Sequence, residues 1–540
     1  MALLKKHLKK YLWYLIFIPL PMILLLISQW DLSIRGPYYE RQNYDPEYQY
    51  LLSGLKIING QSPNHVDHPG TTLQLFSAVV IEARNTIRDF LVGRTSATQD
   101  VLQNPEAYLY TIRDIMAIGI ALLLFLISVQ IYTKTKLIWA AIGYQLFPFL
   151  STSMIHSMAR VSPEPFLVIT VLLGTILLIK INDRKQPVYP LVQPILMGLF
   201  LGVGLVTKLT FLPFLLLVFW FPLWRDRMIV LITFICSFLI FTIPVWSRIN
   251  YFVGWVTGLV TRQQSYGSGP QGLFPPFQTI IQNLKDLAGV EPFYFIFFVL
   301  LILYCIFIWK NRTPETRLER LRALLLLGIL AIELIMVMKY GGSHYMVPGL
   351  TLLGFVFLVM ILKMRSIFSD GSNNFKVIRA TLLILLFGSA VLNTFIFFST
   401  SRSIVAAHSE TEEINTFLQT NYANCTIIPY YGASSQTYAL LFANGWAGDF
   451  FADSLSKIYP NTVGYNVWSH AFYSFSGENK DKETQDRLAR GECILLRGRL
   501  QDPSPSTDSV PKYAQLSLED IIVKNYERVY RIKAIIPQTP

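Results

Sequence analysis

The chain has 540 residues, 52% hydrophobic and only 15% charged, with 46 Lys and Arg against 34 Asp and Glu. A soluble domain of this size carries more charge, so the composition excludes an ordinary soluble enzyme. The formal charge of +12 does not indicate a nucleic-acid binder either, because the basic residues cluster in short connections between apolar runs and serve there as orientation signals.

The N-terminus reads MALLKKHLKKYLW before an apolar run to about residue 29. No small-residue cleavage site of the A-x-A kind follows, so it reads as a retained first span with its basic end in the cytoplasm. Hydropathy places about eleven spans near residues 11–29, 112–132, 137–154, 165–181, 190–207, 211–224, 228–247, 293–309, 322–338, 346–362 and 378–399. The stretch 190–224 reads as two spans or one broken helix. With the N-terminus inside, the cytoplasmic connections hold Lys134 and Lys136, Arg184 and Lys185, Arg225 and Arg227, the basic group from Lys310 to Arg322, and Lys363 to Arg379. Every inside connection is then basic, as a multi-pass protein of an inner membrane requires. The odd count sends residues 401–540 outside. That tail is polar, with strand-like CTIIPYY and CILLRGRL and helical TEEINTFLQTNY and KETQDRLAR, which predicts a small α/β domain after a membrane domain over 1–400. Cys425 and Cys493 each open a strand; the sequence leaves open whether they are bridged or are two buried thiols. Cys236 and Cys305 fall in spans as packing residues. Internal repeats, low-complexity tracts and Gly-rich phosphate loops are absent from the sequence.

The loop over residues 31–111 is more than a linker. YDPEYQYLLSGLKIING carries a helical stripe of Tyr48, Leu51, Leu55 and Ile58, with Pro46 suited to the first helical position and Asn59-Gly60 to the end. Asp45 is placed as its N-cap, a structural role that competes with any chemical one. A second amphipathic helix follows NHVDHPGTT, where Thr71 and Gln74 have capping-box spacing and Leu73, Phe76, Val80 and Ile87 form one face. Such a helix suits the membrane interface. Its N-terminal N–H groups attract anions such as phosphate, and His68 adds a proton donor or positive charge there. The rival is a metal site on His65, Asp67 and His68; adjacent Asp67 and His68 do not easily share one tetrahedral ion, so the reading is metal-free and needs no cofactor. A polar surface turn before a helix is the plainest alternative.

Several cations break the inside bias. Arg160 lies in HSMARVSPEPF, Lys208 in GLVTKLTFLP, and Lys339 and His344 in MKYGGSHYMVP. In this topology they all fall at the outer surface, where they either converge on a lipid phosphate or act as separate interfacial anchors. Arg262, in the Gly- and Pro-rich outside connection over 248–290, is a further candidate phosphate contact in a stretch suited to gating an acceptor. Nearby acids are Asp45, Glu47, Asp67 and Glu164, and Glu333 lies within a span, which is costly unless it is paired. A sugar leaving from a lipid phosphate departs on a stable anion, so the reaction asks for cations on the phosphate and one base on the acceptor hydroxyl. Paired carboxylates of the glycosidase kind are not needed, and direct displacement with one base inverts the anomeric centre.

The same residues carry a resemblance. An acidic pair opening a helix in the first outside loop, a HPP- or KPP-like motif before a juxtamembrane helix, a segment ending in Thr-Lys and a late Tyr-x-x-Pro mark the protein O-mannosyltransferases and lipid A aminoarabinose transferases. Asp45, His68 with Pro69, Lys208 in GLVTKLTFLP, and Tyr345 to Pro348 resemble that order. The departures are Pro46 splitting Asp45 from Glu47, Gly70 in place of the second Pro, and a second acidic site reduced to Glu164. The resemblance implies a GT-C integral membrane glycosyltransferase that uses a polyprenyl-phosphate sugar (hexosyl or pentosyl) without a catalytic metal. Asp45, Glu47 and Glu164 are then the acids at the reaction, and His68, Arg160, Lys208, Lys339, His344, Tyr345 and Thr71 hold the donor phosphate. Besides the lipid donor and membrane lipids, the partner is a hydroxyl acceptor on protein, lipid or glycan. The alternatives are a transporter or flippase of a lipid-linked sugar, which usually shows repeats and midplane polar sites, and a membrane-anchored scaffold.

Overall fold

The computed structural model describes residues 13–40, 44–67, 70–93, 96–182, 190–263, 270–310, 317–367, 373–430, 435–467, 469–500 and 515–536. The side chain of Asp45, together with His68, Arg184 and Lys185, lies outside the described residues. The protein is polytopic and α-helical. Among the described residues, eight helices are long and apolar enough to cross a membrane: Tyr14–Arg35, Pro105–Thr135, Pro163–Ile181, Trp224–Thr261, Pro292–Lys310, Arg317–Met338, Ser343–Arg365 and Arg379–Asn421. Three shorter apolar helices, Ile138–Leu150, Val192–Thr207 and Leu209–Trp220, fall where the remaining expected spans lie.

The apolar stretch over residues 190–224 forms two short helices interrupted at Lys208. Val192–Thr207 is α-helical, Lys208 is extended at φ −162° and ψ 141°, and Leu209–Trp220 winds as a 3-10 helix with Pro213 inside it. Proline supplies no N–H and clashes with the preceding turn, so an α-helix does not run through it. Gly204 lets the ring of Phe211 fold back onto the first segment, because a Cβ there would lie 2.2 Å from that ring.

The described chain packs as two units. The first comprises Met1–Trp30, Val66–Leu73 and Arg113–Ser399. Its core is drawn from nearly every apolar helix and includes Tyr144, Phe211, Trp220, Tyr294 and Phe357. Two charged groups buried in it are hydrogen-bonded. Glu333, within a span, accepts from the backbone N–H of Gly349 at 2.8 Å and from the Tyr294 hydroxyl at 3.1 Å, which is the pairing its position demands. Arg113, fully buried, donates to the Met158 carbonyl, to Ser28 and to Asp114.

The second unit comprises Asp31–His65, Gln74–Ile112 and Thr400–Pro540. In it the helix Tyr44–Ile58 buries Tyr48, Leu51 and Leu55 completely, the face its periodicity gives, and ends at Asn59 and Gly60 with Gly60 at φ +69°. Pro46 is the third helical residue rather than the first. The expected capping box does not form: the Gln74 amide donates to the His65 carbonyl at 2.6 Å. Leu73 and Val80 of the helix Thr71–Val92 are buried, whereas Ile87, Phe90, Leu91 and Val92 stand exposed, an apolar end suited to a membrane interface.

The C-terminal sheet is built from β1 (Thr426–Pro429), β4 (Ile494–Arg499), β5 (Gln515–Val523) and β6 (Glu527–Ile536) in the order β1-β4-β6-β5. β1 and β4 are parallel with Ile427 opposite Leu495, and the remaining pairs are antiparallel. A separate ribbon pairs β2 (Gly464–Asn466) with β3 (Ala471–Tyr473). The disulfide joins Cys425 to Cys493, just before the two parallel strands. Ile414 and Leu418, near the C-terminal end of the helix Asn373–Asn421, pack on Leu495 and Val529. A buried ion pair, Arg497 to Glu527 at 2.7 Å, lies beside that contact, with Arg497 also donating to Asn415.

Candidate functional site

The extended link between the two broken-helix segments places Lys208 where a continuous helix would not. Its ammonium forms a short, buried ion pair with Glu164, the second residue of the helix that starts at Pro163. The same ammonium sits 4.7 Å from the centre of the Tyr345 ring, a cation–π distance. The His344 ring packs at a tilt against Tyr345 with ring centres 4.0 Å apart, and it lies within electrostatic reach of Lys208, Glu164 and Arg160. Three stretches far apart in sequence thus meet inside the first unit: Arg160 to Glu164, Lys208, and His344 with Tyr345.

The first turn of the helix Thr71–Val92 joins them. Thr72 and Thr207 share a hydrogen bond at 2.7 Å, which fixes this turn beside the residue preceding Lys208. Thr71 is fully buried, and neither its hydroxyl nor that of Thr210 has a hydrogen-bond partner among the described residues. Unpaired buried hydroxyls are costly unless something satisfies them, and an oxyanion does so. Gly70 has φ +68°. Proline is locked near −65°, so the second Pro of the resembled motif cannot stand in this turn. Upstream, the Tyr251 hydroxyl pairs with the Asp67 carboxylate.

Glu291 borders this group and was not anticipated from the sequence. Fully buried, it accepts from the Ser153 backbone N–H at 3.1 Å, and Ser153 in turn bonds Ser343, the residue before His344, at 2.9 Å. Burial pushes its carboxyl up to about 7, against the hydrogen bonds from Ser153 and Ser151. His65, in the second unit, is buried between the rings of Tyr50 and Trp446, and both of its ring nitrogens lack partners among the described residues. Desolvation lowers its pKa to about 4, so it is neutral at neutral pH.

The remaining candidates stand elsewhere or in other surroundings. Lys339 donates to the carbonyls of Leu259 at 2.6 Å and Val260 at 2.9 Å, near the end of the helix Ile249–Thr261. Arg262 caps that helix and bridges to Gln271. Glu47 is fully buried in the second unit, within electrostatic reach of Glu106. Asp45 belongs to the helix Tyr44–Ile58, its side chain outside the described residues, as is His68.

No protein-family model matches the chain, and no curated protein matches it. Two solved structures do. One is ArnT from Cupriavidus metallidurans bound to undecaprenyl phosphate, at TM-score 0.48 and 12% identity over 96% of this chain and 98% of that one. The other is the apo state of the same protein, at TM-score 0.49 and 12% identity over 96% of this chain and 97% of that one.

Proposed function

We propose that the chain is a membrane glycosyltransferase that moves a sugar from a polyprenyl-phosphate donor to a hydroxyl acceptor at the extracytoplasmic face of the inner membrane, with inversion. The observation that carries this is the grouping of Lys208, Arg160 and His344 beside a helix N-terminus whose buried Thr71 hydroxyl is unsatisfied. A phosphate monoester is the ligand such a group suits, since N–H dipoles, a fixed ammonium and unspent hydroxyls all favour an oxyanion.

In this reading the acceptor oxygen attacks the anomeric carbon as the bond from that carbon to the phosphate oxygen breaks. The acceptor proton passes to the Asp45 carboxylate, and the electron pair leaves on polyprenyl phosphate. Lys208 and Arg160 offset the charge gained by the leaving phosphate, with Tyr345 and His344 shaping the wall. Glu164 holds Lys208 in place. His68, which precedes the same helix, Lys339 and Arg262 are further contacts to the donor phosphate, and Glu47 supports the acid at the reaction. Residues 1–400 form the membrane domain, with the N-terminus cytoplasmic, and residues 401–540 form an outer domain.

The test is turnover of a polyprenyl-phosphate sugar by purified protein. Asp45→Asn is expected to reduce transfer by a factor of about 10² to 10⁴ while polyprenyl phosphate still binds. Unchanged turnover removes Asp45 as the base. Leaflet exchange of the donor with no sugar released, by the unaltered protein, favours a flippase instead.

A further inference from the structure

In the second unit three metal-competent side chains come together. His408 and Glu412 are four residues apart on the helix Asn373–Asn421 and so share one face. Glu40 reaches them from the segment following the first span. One ligand atom from each lies within 4.8 Å of the other two, and His408 Nδ1 stands 2.9 Å from Glu40 Oε2.

We propose that Glu40, His408 and Glu412 form a binding site for a divalent transition cation, Zn²⁺ first, that ties the segment before Asp45 to the helix carrying His408. The donor set, one imidazole and two carboxylates, suits Zn²⁺ or Mn²⁺ better than Ca²⁺, which takes oxygen alone. Around a tetrahedral Zn²⁺ at about 2.0–2.2 Å, ligand atoms lie roughly 3.4 Å apart, so small side-chain rotations close the present spacing onto an ion. Glu40 is only 2% exposed, whereas His408 and Glu412 are more open, which leaves a path for the ion from solvent. The backbone makes room for the group at Gly36, φ +73°, where a Cβ would lie 2.6 Å from Glu40 Oε2 and 2.7 Å from His408 Nδ1. A fourth position is left to water or solvent, as in a site with three protein ligands. None of the three ligands is a residue of the proposed transfer, so this inference stands or falls independently of it.

The experiment uses the full chain in detergent, purified on a tag without histidine and stripped with chelator. It is titrated calorimetrically with Zn²⁺, Mn²⁺ and Ca²⁺ separately, and melted with and without each ion. Expected is saturable binding of about one Zn²⁺ per chain and a melting midpoint that rises with free Zn²⁺. Zn²⁺ affinity is expected to fall at least about 10-fold in both His408→Ala and Glu412→Gln, because each removes a ligand. Both positions are open enough that each variant should melt like the unaltered protein in chelator. No saturable binding, tighter binding of Ca²⁺ than of Zn²⁺, or Zn²⁺ affinity unchanged in both variants would overturn the proposal.

Discussion

At the scale of single residues, the pair Lys208–Glu164 gives the sharpest prediction, because two roles overlap in one ammonium. Removing one partner of a buried ion pair leaves the other charge uncompensated and costs about 3–5 kcal/mol. Lys208→Met is therefore expected to lower stability by that order, and adding Glu164→Gln should recover most of it. If Lys208 also holds the donor phosphate, the double variant regains its melting midpoint but not its affinity for polyprenyl phosphate. Recovery of both would reduce Lys208 to a structural role. Glu291 gives a second prediction, in pH. Its folded carboxyl titrates at about 7, above the usual carboxylate range, so the folded state holds the proton longer than the unfolded chain does. Its contribution to stability is full below about pH 4.5 and is lost as pH rises through 7, a change of about 3 kcal/mol. His65 runs the other way, with a folded pKa of about 4: its contribution is present above the unfolded pKa and is lost as pH falls towards 4. The measurement is therefore a difference: melts of the unaltered protein and of Glu291→Gln between pH 5 and 8 should converge in slope only if Glu291 does not titrate in that window. The sequence made Lys208, His344, Tyr345 and Glu164 legible because each breaks an apolar stretch beside a Gly, Pro or Thr. It did not reveal Glu291 or Tyr251, which are ordinary polar residues until packing sets them against Ser153 and Asp67. Lys339 looked the same as Lys208 in sequence, yet it is engaged by helix carbonyls, a difference that only the end of another helix could decide.

At the scale of elements, the break at Lys208 and the pairing of Glu333 show what hydropathy sees and what it misses. Hydropathy located the apolar segments in order, since span length is set by the bilayer. It could not separate two spans from one broken helix over residues 190–224, because both read as apolar. Likewise, the last span and TEEINTFLQTN read as separate elements but are one helix, Asn373–Asn421, with no proline or glycine near the junction to end it. Glu333 needs the close approach of Gly349, where a Cβ would fall 1.7 Å from the Glu333 carboxylate. Gly349→Ala should therefore push Glu333 off both the Gly349 N–H and the Tyr294 hydroxyl. The expected cost is at least the 1–3 kcal/mol or so of overpacking, read as a lowered melting midpoint. Gly349→Ala combined with Glu333→Ala, which removes the obstructing carboxylate, should be less than additive. In the C-terminal sheet, the bridge between Cys425 and Cys493 closes a separation of 68 residues. Replacing both with Ala frees a loop of that length in the unfolded chain, a loss of about 4 kcal/mol on chain entropy alone. Reduction should then lower the midpoint of the unaltered protein and leave that of the double variant unmoved.

At the scale of the whole molecule, the proposed chemistry depends on which side of the membrane each connection faces. The argument for an inside N-terminus is the agreement of a count with a bias: eleven apolar segments alternate so that Lys134 with Lys136, Arg225 with Arg227, and Lys363 with Arg365 all fall on one side. On that arrangement Glu164, Lys208 and His344 open on the opposite side, together with the polar tail. Introduced cysteines measure this directly. In a background with Cys236 and Cys305 replaced, and with Cys425 and Cys493 engaged in their bridge, a membrane-impermeant maleimide applied to spheroplasts meets only the new thiol. Lys482→Cys, at an exposed position of the C-terminal domain, is expected to label before lysis, and Lys136→Cys only after it. The reverse pattern would put the cation group in the cytoplasm, where a donor carried on the outer leaflet cannot reach it. It would remove the proposed reaction even if every distance within the site were right.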